Sequence, residues 1–201
     1  MVSLSALALF SGLFASGGDY NDHPKLEPFI QEMVQEHQYD PKMLRDVLSQ
    51  AERKDSILKA IARPAERTKA WYEYRAIFMQ EKRINAGKAF LVEYKTIFDQ
   101  VEAKYGVPRE IIAAIIGVET YYGRITGSYR VIDSLATLAF DYPKRSLFYR
   151  ELKHYFLMVR ENQLDPLEIK GSYAGAMGLG QFIPSSYISY AVDFDGDGKK
   201  D

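Results

Sequence analysis

Residues 108–123, PREIIAAIIGVETYYG, read as one helix whose two ends are both marked. Proline is favoured in the first turn, where its missing N–H costs nothing, and glycine just past the last turn. Between them Ile112, Ile115, Ile116 and Glu119 recur at i, i+3, i+4 and i+7, so a carboxyl shares the apolar face. Such a carboxyl is expected to be desolvated, which disfavours the charged form and is the usual route to an acid that keeps its proton near neutral pH. Two uses remain open from the helix alone: a catalytic acid, or a structural carboxylate hydrogen-bonded to backbone at a helix end. Glu110, in the first turn, needs only the helix dipole to explain it.

Outward from this helix the pattern stays helical, with no alternating strand of useful length, and the fold class is all-α. Phe29, Ile30, Met33 and Val34 form one stripe. Asp40-Pro41 restarts the pattern with Met43, Leu44, Val47 and Leu48, and Pro64 ends that region. Trp71 to Tyr105 carries Phe90, Leu91, Tyr94, Ile97, Phe98 and Val101 on one amphipathic face, stopped by Gly106. Residues 131–140 and 146–159 give two more helices, separated by Asp141-Tyr142-Pro143. Four of the 14 glycines (Gly171, Gly175, Gly178, Gly180) then fall within ten residues, interleaved with Tyr173, Met177, Leu179 and Phe182. That mixture suits a loop lining a cleft better than a linker.

The 201 residues are 47% hydrophobic and 26% charged, with 13% aromatic side chains, which fits one folded domain and excludes wholesale disorder. Net charge is −1 and the basic residues are scattered, so nothing marks a nucleic-acid surface. The absence of cysteine removes disulfides, thiolate metal sites and thiol nucleophiles. Val2 to Ala15 is apolar but shorter than the roughly 20 residues of a spanning helix. Residues 1–18 therefore read either as an export signal, although a basic n-region is lacking, or as an apolar or disordered N-terminal segment, with the helical domain over 19–201.

Glycoside cleavage normally uses two carboxylates flanking the bond. No second one stands out: Asp133 reads as a helical residue after a cap, and Asp141 and Asp165 as turn residues. A single-acid mechanism suits the sequence better than a paired one.

The segments Gly117-Val-Glu-Thr120, Tyr122-Gly-Arg124 and Gly171-Ser-Tyr-Ala-Gly-Ala-Met-Gly-Leu-Gly-Gln-Phe-Ile-Pro-Ser-Ser-Tyr187 resemble the B-type membrane-bound lytic murein transglycosylases. The resemblance runs from about Asp40 to the last residue. It implies a lysozyme-like helical domain that cleaves the β-1,4 bond between N-acetylmuramic acid and N-acetylglucosamine in peptidoglycan, leaving a 1,6-anhydromuramoyl end without cofactor. By the motif, Glu119 is the single acid and base. Ser172 and Gln181 are expected at sugar and N-acetyl contacts, and Tyr74 in the glycan groove. Tyr121 and Tyr122 are candidates to stack on sugar faces, with core packing, the commoner use of aromatics at helix spacing, as the alternative; the family commonly has tryptophan at the place of Tyr122. Met177 is counted among the substrate-binding positions, and Arg145 faces the peptide stems. The resemblance further implies the periplasm or cell envelope, peptidoglycan strands as partner, a monomer, and other cell-wall enzymes as candidate associates. In the family the catalytic domain continues past the last residues here, so the domain is expected to be incomplete at its C-terminus.

Asp193-Phe-Asp-Gly-Asp-Gly-Lys-Lys-Asp201 has the spacing of the first nine positions of an EF-hand calcium loop. Asp193, Asp195 and Asp197 would supply oxygens, Lys199 its carbonyl, and Asp201 a ligand, often through water, around a structural Ca²⁺; the alternative is a solvated acidic tail. Two functional readings compete with the transglycosylase: a catalytically weak peptidoglycan-binding module, and a hydrolytic lysozyme, which would leave reducing muramic ends.

Overall fold

The computed structural model describes residues 18–63, 69–143 and 146–200. The all-α expectation holds, with ten helices among the described residues. Helix α1 (Leu26–His37) buries Phe29, Ile30 and Met33 of the predicted stripe together with Leu26, while Val34 is half-buried. Helix α2 (Pro41–Leu48) starts at Asp40, whose carboxylate accepts the Lys42 N–H at 2.9 Å, with Pro41 in its first turn. The following helix α3 (Asp55–Ile61) is separate, divided from α2 by residues 49–54. Pro64, expected to end that region, lies outside the described residues.

The stretch from Trp71 to Tyr105 is three helices rather than the single one expected: α4 (Trp71–Phe78), α5 (Glu81–Glu93) and α6 (Lys95–Tyr105). Backbone φ/ψ leaves the helical range at Met79 and again at Tyr94 (−102°, 23°), which turns the apolar face partway along. Phe90 and Phe98 remain buried, while Tyr94 and Ile97 are exposed. Helix α7 (Arg109–Thr120) follows Gly106, which caps α6 in the left-handed region at φ 68°.

Helix α8 (Val131–Asp141) is the hub, buried at every position from Val131 to Phe140. It packs on α9 (Ser146–Glu161), and these two join α1, α2 and Met177 in the larger core. A smaller cluster, Phe90, Phe98 and Ala113, holds α5, α6 and α7 together. The only sheet among the described residues is a two-residue antiparallel pair, β1 (Tyr129–Arg130) with β2 (Lys170–Gly171), which brings the start of the glycine-rich loop beside α8. Helix α10 (Pro184–Tyr190) leaves that loop and packs on α9; its first turn is capped by the buried Glu151 carboxylate, which accepts the Ser185 N–H at 2.9 Å.

Because α8 is surrounded, its polar side chains must find partners inside the protein. Thr137 accepts hydrogen bonds from the Tyr20 hydroxyl at 3.3 Å and the Lys54 N–H at 3.1 Å. Asp133 is likewise not the plain helical residue the sequence suggested. It is buried, takes a bidentate pair from Arg130 (2.8 and 2.9 Å) and accepts the Glu52 N–H at 2.8 Å, and Arg130 also donates to the Gln50 carbonyl at 2.9 Å. One ion pair thus fixes the 49–54 segment against the central helix.

Candidate active site

Helix α7 ends in an uncommon way. Tyr121 and Tyr122 both lie in the left-handed region, at φ 52° and 58°, ahead of Gly123 at φ 80°. The chain therefore leaves the helix two residues before the glycine that marked its end in the sequence. Non-glycine residues there carry backbone strain, which persists only where the surroundings over-determine it.

The surroundings are specific. The face of α7 that is buried is Ala113, Gly117 and Thr120, small residues at i, i+4 and i+7 that let α5 come close. Through this gap the Tyr122 ring enters: a Cβ on Gly87 or on Gly117 would lie 2.4 Å and 2.6 Å from its side chain. Tyr122 is half-buried, packed against Phe90 between α5 and α7. The Tyr121 ring contacts two guanidinium groups, Arg83 at 4.4 Å and Arg124 at 4.9 Å, and Arg83 also donates to the Gly117 carbonyl at 2.8 Å.

The position of Glu119 corrects the reading of the apolar stripe. Ile112 and Ile116 are half-buried, but Ile115 is 55% exposed and Glu119 is exposed as well. The desolvation expected for this carboxyl is absent in the described residues, because the core is met by the small-residue face of α7 and the isoleucine–glutamate edge turns outward. The Glu119 carboxylate makes no hydrogen bond or ion pair to another described residue, which also removes the structural alternative of a helix-end carboxylate bonded to backbone.

The glycine-rich loop lies next to this helix end. The Leu179 carbonyl accepts the Thr120 hydroxyl proton at 3.3 Å, and the Leu179 side chain sits over Gly123. Gln181, itself at φ 50°, donates its side-chain N–H to the carbonyls of Thr126 (3.2 Å) and Gly178 (3.0 Å), so it ties the loop to the segment leaving α7. Ser172 shapes the loop from within. Its side-chain oxygen accepts the N–H groups of Ala174 and Ala176 at 3.3 and 3.0 Å, while its carbonyl accepts from the buried Ser134 hydroxyl at 3.2 Å. Met177 is buried in the larger core and pairs with Gly171 and Phe182 across isolated bridges. Its side chain packs under the loop and also lines a pocket with Leu179 and Phe182. Tyr74 is exposed on α4, against Trp71 and Phe78 at ring-centroid distances of 6.3 and 5.1 Å. Phe78 in turn lines a small cavity of about 170 Å³ with Gly117, Val118 and Tyr122, so α4 borders the same helix end. Arg145 lies outside the described residues.

What the sequence reading missed are Thr120, Arg83 and Arg124. Thr120 was in plain view beside Glu119, but its partner is 59 residues away. Neither arginine has a sequence signal that points to Tyr121.

At the other end of the chain the carboxylate oxygens of Asp193, Asp195 and Asp197 lie within 4.8 Å of one another. Asp193 accepts the N–H groups of Gly196 and Gly198 (2.6 and 2.9 Å), Asp195 that of Asp197 (3.1 Å), and Asp197 that of Lys199 (2.8 Å). The loop is anchored where Lys200 donates its N–H to the buried Asn162 at 3.0 Å and the Tyr187 hydroxyl donates to the Lys200 carbonyl. Three converging hard oxygen donors fit a calcium ion. Asp201 lies outside the described residues.

A mainly helical body in which a carboxylate without a partner among the described residues sits in the last turn of one helix, beside a glycine-rich loop, is shared with solved lytic transglycosylases, and the fold is lysozyme-like. The chain belongs to the family of transglycosylase SLT domains, which matches residues 21–201. It is 45% identical over 192 residues to the membrane-bound lytic murein transglycosylase B of Escherichia coli K12, covering 90% of this chain and 53% of that protein, so it spans about half the length of that relative. The E. coli lytic transglycosylase Slt35 in complex with calcium superposes with a TM-score of 0.84 at 46% identity, over 92% of this chain and 59% of that one. SltB3 from Pseudomonas aeruginosa in complex with NAG-anhNAM-pentapeptide superposes with a TM-score of 0.81 at 31% identity, over 87% of this chain and 46% of that one.

Proposed function

We propose that this protein is a lytic transglycosylase of the cell envelope that cleaves the β-1,4 bond between N-acetylmuramic acid and N-acetylglucosamine in peptidoglycan strands. The observation that carries the reading is the Glu119 carboxylate at the end of α7, unpartnered among the described residues and beside the loop that holds Gln181. Glu119 donates its proton to the glycosidic oxygen as the bond from that oxygen to the anomeric carbon breaks. The C6 hydroxyl of the same muramic residue then attacks the anomeric carbon, and its proton returns to the Glu119 carboxylate. The 1,6-anhydro ring closes without water, so no second protein carboxylate is required. Bound glycan covers Glu119 and supplies the water exclusion that the described residues alone do not. In this reading Gln181 and Tyr74 contact the strand, with Ser172 shaping the loop beneath it. The complex of P. aeruginosa SltB3 with NAG-anhNAM-pentapeptide supports the same outcome here.

The test is product analysis after incubation with purified murein. Mass spectrometry of the soluble fraction is expected to show 1,6-anhydromuropeptides. Reducing muramic ends would identify a hydrolase instead, and glycan binding without any soluble product would identify a binding module.

The aspartate loop is proposed to hold a structural calcium, with Asp193, Asp195 and Asp197 as side-chain ligands, Lys199 contributing its carbonyl, and Asp201 a further ligand. A loop with few charged ligands binds weakly. Calcium is therefore expected to raise the melting temperature slightly, growing with concentration as RT ln(1 + [L]/Kd), at about 2–4 °C per kcal/mol for a chain of this size. Asp193→Ala should erase the response. An equal rise with magnesium, or one that survives Asp193→Ala, would leave the aspartates as a solvated acidic turn.

A further inference from the structure

Since the Glu119 carboxylate has no protein partner among the described residues, its place in the groove is set by the backbone that carries it. That backbone is the last turn of α7, and the residue next to Glu119 is fully buried. The Thr120 hydroxyl accepts the Gly123 N–H at 3.0 Å, which closes the left-handed turn of Tyr121 and Tyr122, and the Thr120 carbonyl accepts the Ile125 N–H at 2.9 Å. A hydroxyl has one proton to give, and here two carbonyls compete for it: Ile116 in its own helix at 3.1 Å and Leu179 in the glycine-rich loop at 3.3 Å. The Ile116 carbonyl also receives the Tyr122 N–H at 3.4 Å, whereas Thr120 is the one partner of the Leu179 carbonyl among the described residues. The contact has an apolar half as well, because a Cβ on Gly123 would lie 2.8 Å from Leu179 Cδ2.

We propose that Thr120 is a positioning residue whose hydroxyl clasps the end of α7 that bears Glu119 to the Leu179 carbonyl, fixing the carboxylate relative to the loop that carries Gln181. The inference rests on the reading of Glu119 as the acid and base. A threonine at this place is required for its shape and its hydroxyl together: valine keeps the shape and leaves the Gly123 N–H and the Leu179 carbonyl without a partner, while serine keeps the hydroxyl.

The experiment compares the parent chain with Thr120→Val and Thr120→Ser in three measurements: turnover of defined muropeptide oligomers, thermal melting, and site-resolved amide hydrogen exchange. In Thr120→Val, kcat is expected to fall about 10- to 100-fold with KM changed less than about two-fold, the size of loss that a displacement of about 1 Å produces. The amides of Gly123 and of residues 174–182 should exchange about ten-fold faster or more, while those of α8 and α9 keep the parent rates. Thr120→Ser should restore both. Unchanged exchange at Gly123 and the loop in Thr120→Val overturns the clasp, as does faster exchange spread over α8 and α9, or a serine variant that behaves like valine. Should the parent chain release no product at all, the transglycosylase reading fails, and the exchange rates by themselves decide whether Thr120 holds the loop.

Discussion

Glu119→Gln is expected to stop release of soluble muropeptides from murein while binding of glycan strands continues. The amide has nearly the shape of the carboxylic acid and is exposed at the same helix end, so packing of α7 is left as it is. It can neither give a proton to the glycosidic oxygen nor accept one from the C6 hydroxyl, and both steps of the proposed reaction pass through that one group. Loss of general acid–base help alone amounts to about 10²–10⁴-fold in rate. Because Glu119 is exposed and makes no hydrogen bond or ion pair to another described residue, the melting temperature should stay within about 1–2 °C of the parent, a surface-substitution effect. Digestion of murein at the parent rate by the glutamine variant would remove Glu119 from the mechanism.

Asp133→Ala should produce the largest loss of stability. The substitution leaves the Arg130 guanidinium, largely covered, with only the longer 3.5 Å ion pair to Glu52 among the described residues, and leaves the Glu52 N–H without an acceptor. Removing one member of a buried, hydrogen-bonded ion pair costs about 3–5 kcal/mol; the lower end applies because Arg130 keeps 28% exposure. For a chain of this length about 3 kcal/mol lowers the melting temperature by roughly 6–12 °C. Replacing Arg130 as well by methionine should recover part of the loss, since a covered charge left with only the 3.5 Å Glu52 ion pair is then gone. A fall below about 1 kcal/mol in a urea melt would mean that the 49–54 segment is held by its apolar contacts alone.

The sequence carried the helical class, the stripes of α1 and α2, the limits of α8 and α9, the motif around Glu119 and the spacing of Asp193, Asp195 and Asp197. All are local: a period of 3.6, a cap, a glycine or a short run of fixed residues states them within one or two turns of chain. The domain's terminal segment, Arg145 and Asp201 fall outside the described residues and add nothing to either side.

Where the sequence misled, the deciding atoms came from elsewhere in the fold. The stripe of Ile115 and Glu119 has the period of a buried face, yet α7 turns its small residues inward, because Gly87 and Gly117 admit the Tyr122 ring and the closer approach buries more surface. Tyr122 and Met177 look like groove residues by motif, and each also packs, Tyr122 between α5 and α7 and Met177 in the larger core. Asp133 looks like any helical aspartate until β1 sets Arg130 beside it and residues 49–54 close over the pair. The sequence by itself determined the helical class, several of the helices and which carboxylate stands in the motif. Which face of each helix meets water, and which loop Thr120 holds, was decided by tertiary structure, since burial depends on partners 59 to 81 residues away that no local period encodes.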